Sequence, residues 1–259
     1  MRVRKAVSYA IDPEQILDFA FGGAGQISKG PFPAFPRLQK YIEMCAELAA
    51  ANDVGVYNPK RSAELMQQAG YAKDSGGFWA KDGKRAGGDM YGLAITNQIG
   101  PLIQQQLRRG GFDVTAYATP DASRIIRAGN CPLVLAGHSN SSIFDPLATL
   151  EAFHSKNFIP VGKPSLFYAR MRNPAYDAAV DPIASLEPGD PAIDAHVRKA
   201  LEIWYAAVPE VPICQHFHRL PMNQTYWTNW PGTEDPYMPP APNHVASSTY
   251  IAHMVKPVS

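Results

Sequence analysis

The chain opens on a helical period. Val3, Ala6, Val7 and Ala10 recur at i, i+3, i+4 and i+7, with no capping residue ahead of them. Asp12-Pro13-Glu14 then supplies a cap and a first turn. Ile16, Leu17, Phe19 and Ala20 give a second helix its apolar face, and Gly22-Gly23 ends it. Residues 25–37, which include Pro31, Pro33 and Pro36, read as a loop, and a short helix is expected at 38–51. Asn58-Pro59 is a strong helix start, with Ala63, Leu65, Met66 and Ala69 running to a C-capping Gly70. Turn residues flank Gly77-Phe78-Trp79 on both sides, so 74–83 reads as a small hairpin.

From Met90 onward the pattern changes. A strand is expected at 90–96, a helix at 101–109 and a second strand at 112–118. Asp121 is expected to cap a helix running to Ala128, and 132–136 is a continuous apolar strand. This β-α-β-α-β alternation predicts an α/β fold with helices packed on a mixed sheet. Three more helices are expected at 146–153, 174–186 and 191–207, then a long strand at 211–220. Everything after Asn223 reads as irregular.

Composition narrows the function classes. With 259 residues, 46% of them hydrophobic, there is core enough for one large domain or two modest ones. The 24 basic and 23 acidic residues leave a net charge of +1 without blocks of either sign, which excludes the basic stripe that nucleic acid requires. No apolar run reaches the ~18 residues of a membrane span. Met1-Arg2-Val3-Arg4-Lys5 is not followed by the apolar stretch of a signal peptide. Cys45, Cys131 and Cys214 are odd in number and far apart, against a disulfide framework or a C-x-x-C zinc site. The 24 prolines concentrate after Pro209, marking a tail of turns and extended segments.

Several constellations invite chemical readings. Cys214, His216 and His218 share one face of the expected last strand, but three residues along a straight strand span too far to chelate one ion comfortably. No cofactor or metal is therefore expected. Ser139, Ser141 and Ser142 lie near His138, Asp145 and His154, yet no G-x-S-x-G elbow is present, and serines after a strand are usually loop residues. Gly22-Gly23-Ala24-Gly25 follows a helix rather than a strand, so a phosphate cradle fails its context. Asn140-Ser141-Ser142 and Asn223-Gln224-Thr225 match the glycosylation sequon, a pattern too short to decide anything alone. The most informative stretch is Tyr226-Trp227-Thr228-Asn229-Trp230-Pro231 with Tyr237 beyond it. Aromatics in a proline-rich segment either pack a tail onto the protein's own surface or supply flat platforms for ligands such as sugars and peptides.

Taken together, these segments resemble the extracytoplasmic solute-binding proteins of family 5, the peptide, nickel and oligosaccharide receptors of ABC importers. Val3-Arg4-Lys5-Ala6-Val7-Ser8-Tyr9-Ala10-Ile11-Asp12 resembles that family's helix junction. Tyr57-Asn58-Pro59 through Ala63, Leu65 and Ala69-Gly70-Tyr71 resembles its Y-[ND]-P-x-x-A-x-x-L-L-x-x-A-G-[YF] signature. Gly77-Phe78-Trp79 with Asp82-Gly83-Lys84 matches the hairpin that usually follows, and Asn173-Pro174-Ala175-Tyr176-Asp177 matches a helix start. Phe153-His154-Ser155-Lys156, Gln215-His216-Phe217-His218-Arg219 and the aromatic tail look like a branch linked to oligosaccharides as well as peptides. That branch more often has Asn-Pro-Tyr where this chain has Asp235-Pro236-Tyr237, and Pro242-Asn243-His244 departs from its usual aromatic-His ending.

The resemblance implies a periplasmic-binding-protein-like fold (type II, cluster C). Residues 1–210 would form the lobe II α/β domain, and 211–259 would be a hinge-crossing strand with an aromatic, proline-rich segment of a missing lobe I. Complete members are roughly twice as long, so the chain is expected to be the C-terminal portion of such a receptor. It implies a non-enzymatic, periplasmic or extracytoplasmic protein, membrane-associated through the transporter. Its partners would be an oligopeptide or oligosaccharide ligand, an importer permease and lobe I. Trp227, Trp230 and Tyr226 would form the apolar platform, with Asn223, His216, His218 and Asp145 as polar contacts. The rival reading is a lobe that binds nothing alone and serves as an interaction or remnant module; a hydrolase is the weakest alternative.

Overall fold

A computed structural model of the chain describes residues 1–137, 145–216, 221–232, 234, 235, 237, 238 and 245–258. Contacts divide it into two units, Met1–Gln215 and His216–Ser259.

In the first unit, α1 (Arg2–Tyr9) starts without a side-chain cap and buries Ala6 and Tyr9. The Asp12 carboxylate accepts from Gln15 N at 3.0 Å and opens α2 (Pro13–Phe21), which Gly22 ends at φ +58°. A short strand β1 (Gly25–Ile27) occupies part of the segment expected as loop, and α3 (Gln39–Ala51) follows where expected. The Asn58 side chain accepts from Arg61 N at 2.9 Å and caps α4 (Pro59–Gln68). From α4, the buried Ser62 hydroxyl donates to Ala6 O of α1 at 2.7 Å.

The expected hairpin becomes a three-stranded antiparallel sheet of β2 (Ala72–Lys73), β3 (Trp79–Lys81) and β4 (Lys84–Arg85). Trp79 is buried there, with its indole N–H donating to Gly110 O at 2.8 Å. The alternating segment forms β5 (Gly87–Gly92), α5 (Gly100–Arg109), β6 (Asp113–Tyr117), α6 (Ala122–Ala128) and β7 (Leu133–Leu135). The sheet order is β6-β5-β7 and both pairings are parallel. The strand expected at 90–96 instead begins at Gly87 and gives way to a 3₁₀ turn, Ala94–Thr96. Asp121 precedes α6 but its carboxylate makes no capping bond, correcting that expectation; it lies beside Arg124 at 3.5 Å instead.

The α7 (Leu147–Glu151), α8 (Pro174–Val180) and α9 (Ala192–Ala207) helices complete the unit with β8 (Cys214–His216), which pairs with β1. The helix expected over 174–186 is α8 followed by a 3₁₀ turn, Asp181–Ser185, because Pro182 has no N–H to continue the α ladder. Of the long strand expected at 211–220, the described residues carry only β8; residues 217–220 lie outside them. Two cores result. One gathers Met90, Val114 and Leu135 of the parallel sheet with Ile103 and Leu107 of α5, α1 and α4. The other packs α3, α8 and α9 around Trp204, Tyr176 and Tyr205.

The stretch after Asn223, expected to be irregular, carries regular elements among its described residues. It contains β9 (Trp227–Thr228), α10 (Val245–Met254) and β10 (Lys256–Pro257). The sequence of α10 carries no amphipathic period to announce it.

Candidate functional site

The aromatic segment of the second unit is held by main-chain pairing. Antiparallel β9 and β10 place Thr228 opposite Lys256 and Trp227 opposite Pro257, and Val258 N donates to Tyr226 O at 3.0 Å. Asn229 turns the chain at φ +64°, with its amide donating to Met254 O at 2.7 Å and its own carbonyl accepting from the Tyr237 hydroxyl at 2.7 Å. The Trp230 indole N–H donates to Trp227 O at 3.0 Å, so its polar edge is used within the segment. Tyr226 and Trp227 remain 75% and 48% exposed. Asn223 accepts from Thr225 N at 2.9 Å, an Asx turn leading into the strand. The segment thus places Trp227 on a two-stranded ribbon, with Tyr226 and Trp230 next to its strand and Asn223 in the turn that leads into it.

The remaining sequence candidates are placed differently. Asp145 accepts from Leu147 N at 2.9 Å and leads the chain into α7. His216 has its backbone in β8, while its side chain and all of His218 lie outside the described residues. Beside it, the Gln215 amide does work the sequence did not announce: its oxygen accepts from Ala34 N at 2.8 Å and its nitrogen donates to Phe32 O at 2.9 Å. Burial pushes the Cys214 thiol up, which favours the protonated form over a thiolate ligand. Among the described residues no three His, Cys, Asp or Glu side chains gather as a metal site.

For the hydrolase reading, Ser139, Ser141, Ser142 and His138 lie outside the described residues. His154 is committed to structure. Its Nδ1 accepts from Lys156 N at 3.0 Å, which leaves the proton on Nε2, 2.8 Å from Asp181 Oδ1. Asp177, at the end of the Asn173-to-Asp177 motif, accepts from Ser155 N at 2.9 Å.

A feature missed in the sequence stands at the carboxyl edge of the parallel sheet. Tyr91 and Tyr117 are register partners, with ring centroids 5.2 Å apart and planes 19° apart. Desolvation, then the neighbouring Asp89 carboxylate, hold the Tyr91 phenol above its ordinary value, so it stays a neutral donor. The available signal was position: each tyrosine falls in the last two residues of a parallel strand.

No helix among the described residues is long and apolar enough to cross a membrane. Comparisons with known proteins give a consistent picture. Protein XP55 of Streptomyces lividans is 25% identical over 230 residues, covering 87% of this chain and 39% of that protein. The mannohexaose-bound periplasmic oligopeptide-binding protein of Thermotoga maritima superposes with a TM-score of 0.75 at 18% identity, over 99% of this chain and 49% of its own. The nonapeptide-bound oligopeptide-binding protein AppA of Bacillus subtilis gives 0.64 at 19% identity, over 82% of this chain and 41% of its own. The chain therefore spans half or less of each of these proteins, and its mixed α/β architecture is that of the family 5 periplasmic binding proteins. With residues 1–159 matched by the family model for the bacterial extracellular solute-binding proteins, family 5 Middle, the chain belongs to that family.

Proposed function

We propose that the chain acts in the substrate-binding component of an ABC importer, capturing oligopeptides or oligosaccharides outside the cytoplasmic membrane and presenting them to a permease. The observation that carries this reading is the family match over residues 1–159. The likeness to a mannohexaose-bound and a nonapeptide-bound receptor supports the two ligand classes. In this reading residues 1–210 act as lobe II and 211–259 as the segment returning toward lobe I. Ligand is held by closure of two lobes, with aromatic stacking and hydrogen bonds in the cleft between them. Tyr226 and Trp227 supply exposed ring area and Trp230 a ring whose N–H is already satisfied. Asn223, His216, His218 and Asp145 are the proposed polar contacts. The protein works by binding and release, without a reaction of its own.

A thermal-shift screen of the purified chain against short peptides and oligosaccharides tests the proposal. A ligand at a hundredfold over its Kd stabilises the folded state by about 2.7 kcal/mol. For a unit of this size that raises Tm by roughly 5–11 °C. A second reading, a lobe that binds only when joined to its complement, draws on the chain's span of 49% or less of these receptors. No shift with any ligand in a cooperatively melting chain favours that reading.

A further inference from the structure

The parallel sheet carries a surface that the aromatic ribbon does not explain. From central β5 the chain goes out through α5 to β6, then back across β5 through α6 to β7. Right-handed crossovers in opposite directions put α5 and α6 on opposite faces, so a topological switch point lies between β5 and β7. Open α/β sheets take their ligands outside the carboxyl ends of the strands at such a point. Tyr91 on β5 borders that point, whereas Tyr117 and Thr115 lie on its β6 side, so a site here rests on the side chains of the β5–β6 pair.

The residues at that edge are unusual for a sheet face. Met90, Val114 and Leu135 point into the core, as the alternation of a strand requires. On the opposite face one row aligns Tyr117, Tyr91 and Val134, with Tyr117 still 42% and Val134 37% exposed. One face of the Tyr117 ring is covered by Tyr91, and Tyr117 stands on the edge strand of the sheet. The next row pairs Asp89 with Thr115, both exposed. Among the described residues the Asp89 carboxylate makes neither an ion pair nor a side-chain hydrogen bond, whereas Asp113, two residues before Thr115, is held by both Arg85 and Arg108.

We infer that Tyr91 and Tyr117 form a stacking platform for a pyranose ring, with Asp89 and Thr115 bonding its hydroxyls. This deepens the receptor reading and rests on it. A pyranose presents an apolar C–H face beside a rim of hydroxyl donors. The edge presents two stacked rings beside an unpaired acceptor and a hydroxyl. An extended peptide would instead add to an edge strand such as β6 through main-chain hydrogen bonds and would not depend on the Tyr117 ring or the Asp89 carboxylate.

Isothermal titration calorimetry of the full chain with mannohexaose, cellohexaose and trialanine tests this inference. The Tyr117→Ala variant is expected to weaken saccharide binding about tenfold, the equivalent of ~1.4 kcal/mol of lost stacking. Tyr117→Phe keeps the ring and stays within about threefold of the parent, and Asp89→Asn weakens binding about fivefold. Tyr57→Ala, an exposed tyrosine elsewhere, changes nothing. Saccharide binding by the parent that Tyr117→Ala leaves unchanged overturns the platform and spares the receptor reading. Binding of trialanine that depends on Tyr117, without saccharide binding, overturns the pyranose assignment. A parent chain that binds no probe counts against the receptor reading itself, and the platform falls with it.

Discussion

Arg170 ties several main-chain carbonyls together, and its removal gives a sharp prediction. Its guanidinium donates to four main-chain oxygens: Ile159 O, Pro160 O at 2.9 Å, Arg127 O at 2.5 Å and Lys163 O at 3.1 Å. The segment it gathers also satisfies the end of α6, with Gly162 N donating to Ala128 O at 2.7 Å and Ser165 N to Arg127 O at 2.8 Å. Gly129 lies close beneath it at φ +73°, where an added Cβ would come within 2.8 Å of Arg170 Nε. Most of these carbonyls reach water once the arginine is gone, so each lost bond is worth nearer 0.5–1 than 3 kcal/mol. Arg170→Ala is therefore expected to cost about 3 kcal/mol, or roughly 6–12 °C in Tm for a unit of this size. Arg170 itself sits at φ +44°. Arg170→Gly loses the same bonds but relieves the left-handed backbone, and should be up to about 1 kcal/mol less damaging than alanine. Urea denaturation followed by far-UV circular dichroism measures both, and hydrogen exchange reads the 159–165 amides. An Arg170→Ala midpoint within about 0.5 kcal/mol of the parent, with unchanged exchange, refutes the reasoning.

Three further predictions concern two helix caps, a buried glutamine and one desolvated acid. Asn58→Ala and Asn173→Ala each remove an N-cap and should cost about 1 kcal/mol in denaturant unfolding, while aspartate at either position retains most of it. Gln106, 4% exposed, accepts from Asp12 N at 3.0 Å and donates to Gln15 Oε1 at 2.8 Å. Gln106→Glu replaces that donor with an acceptor facing another acceptor, so it should lower Tm as much as Gln106→Ala at pH 7.5 and recover when the carboxyl is protonated at acid pH. Burial raises the Glu210 carboxyl to about 7. The folded state then holds that proton more tightly than the unfolded state, so the stability it contributes is fully present below the ordinary carboxylate range and is lost as pH rises through 7. The loss amounts to about 3 kcal/mol, and Glu210→Gln should flatten the pH profile of the denaturation midpoint between about pH 4 and 8.

Where the chain states local rules plainly, the structure follows them. Asn58-Pro59 and Asn173-Pro174 cap and start helices as their chemistry dictates, and the alternation from β5 to β7 builds a parallel sheet. The motifs shared with the family have visible work: Tyr176 donates to Leu150 O at 2.9 Å, and Trp79 ties β3 to the turn after α5. Less legible was anything set by long-range partners. Gln215 reads as an ordinary strand polar residue, and only the return of β8 beside β1 brings it to Phe32 and Ala34. Tyr91 and Tyr117 are 26 positions apart and meet through a parallel register that local periodicity does not encode. The aromatic tail was recognised by composition, whereas the β9 and β10 strands that organise it hold two residues each and leave no alternating pattern to read.

The central claim, that the aromatic ribbon of this chain takes part in solute capture, is tested most directly by tryptophan fluorescence titrated with mannohexaose and with a nonapeptide. Of the four tryptophans, Trp79 and Trp204 are 3% and 1% exposed, so a ligand at the aromatic ribbon reports through Trp227 and Trp230. The account predicts a saturable change that Trp227→Phe with Trp230→Phe abolishes, while the circular dichroism of the variant matches that of the parent. A folded parent whose emission does not move with either ligand, or a saturable change that survives loss of both tryptophans, contradicts it.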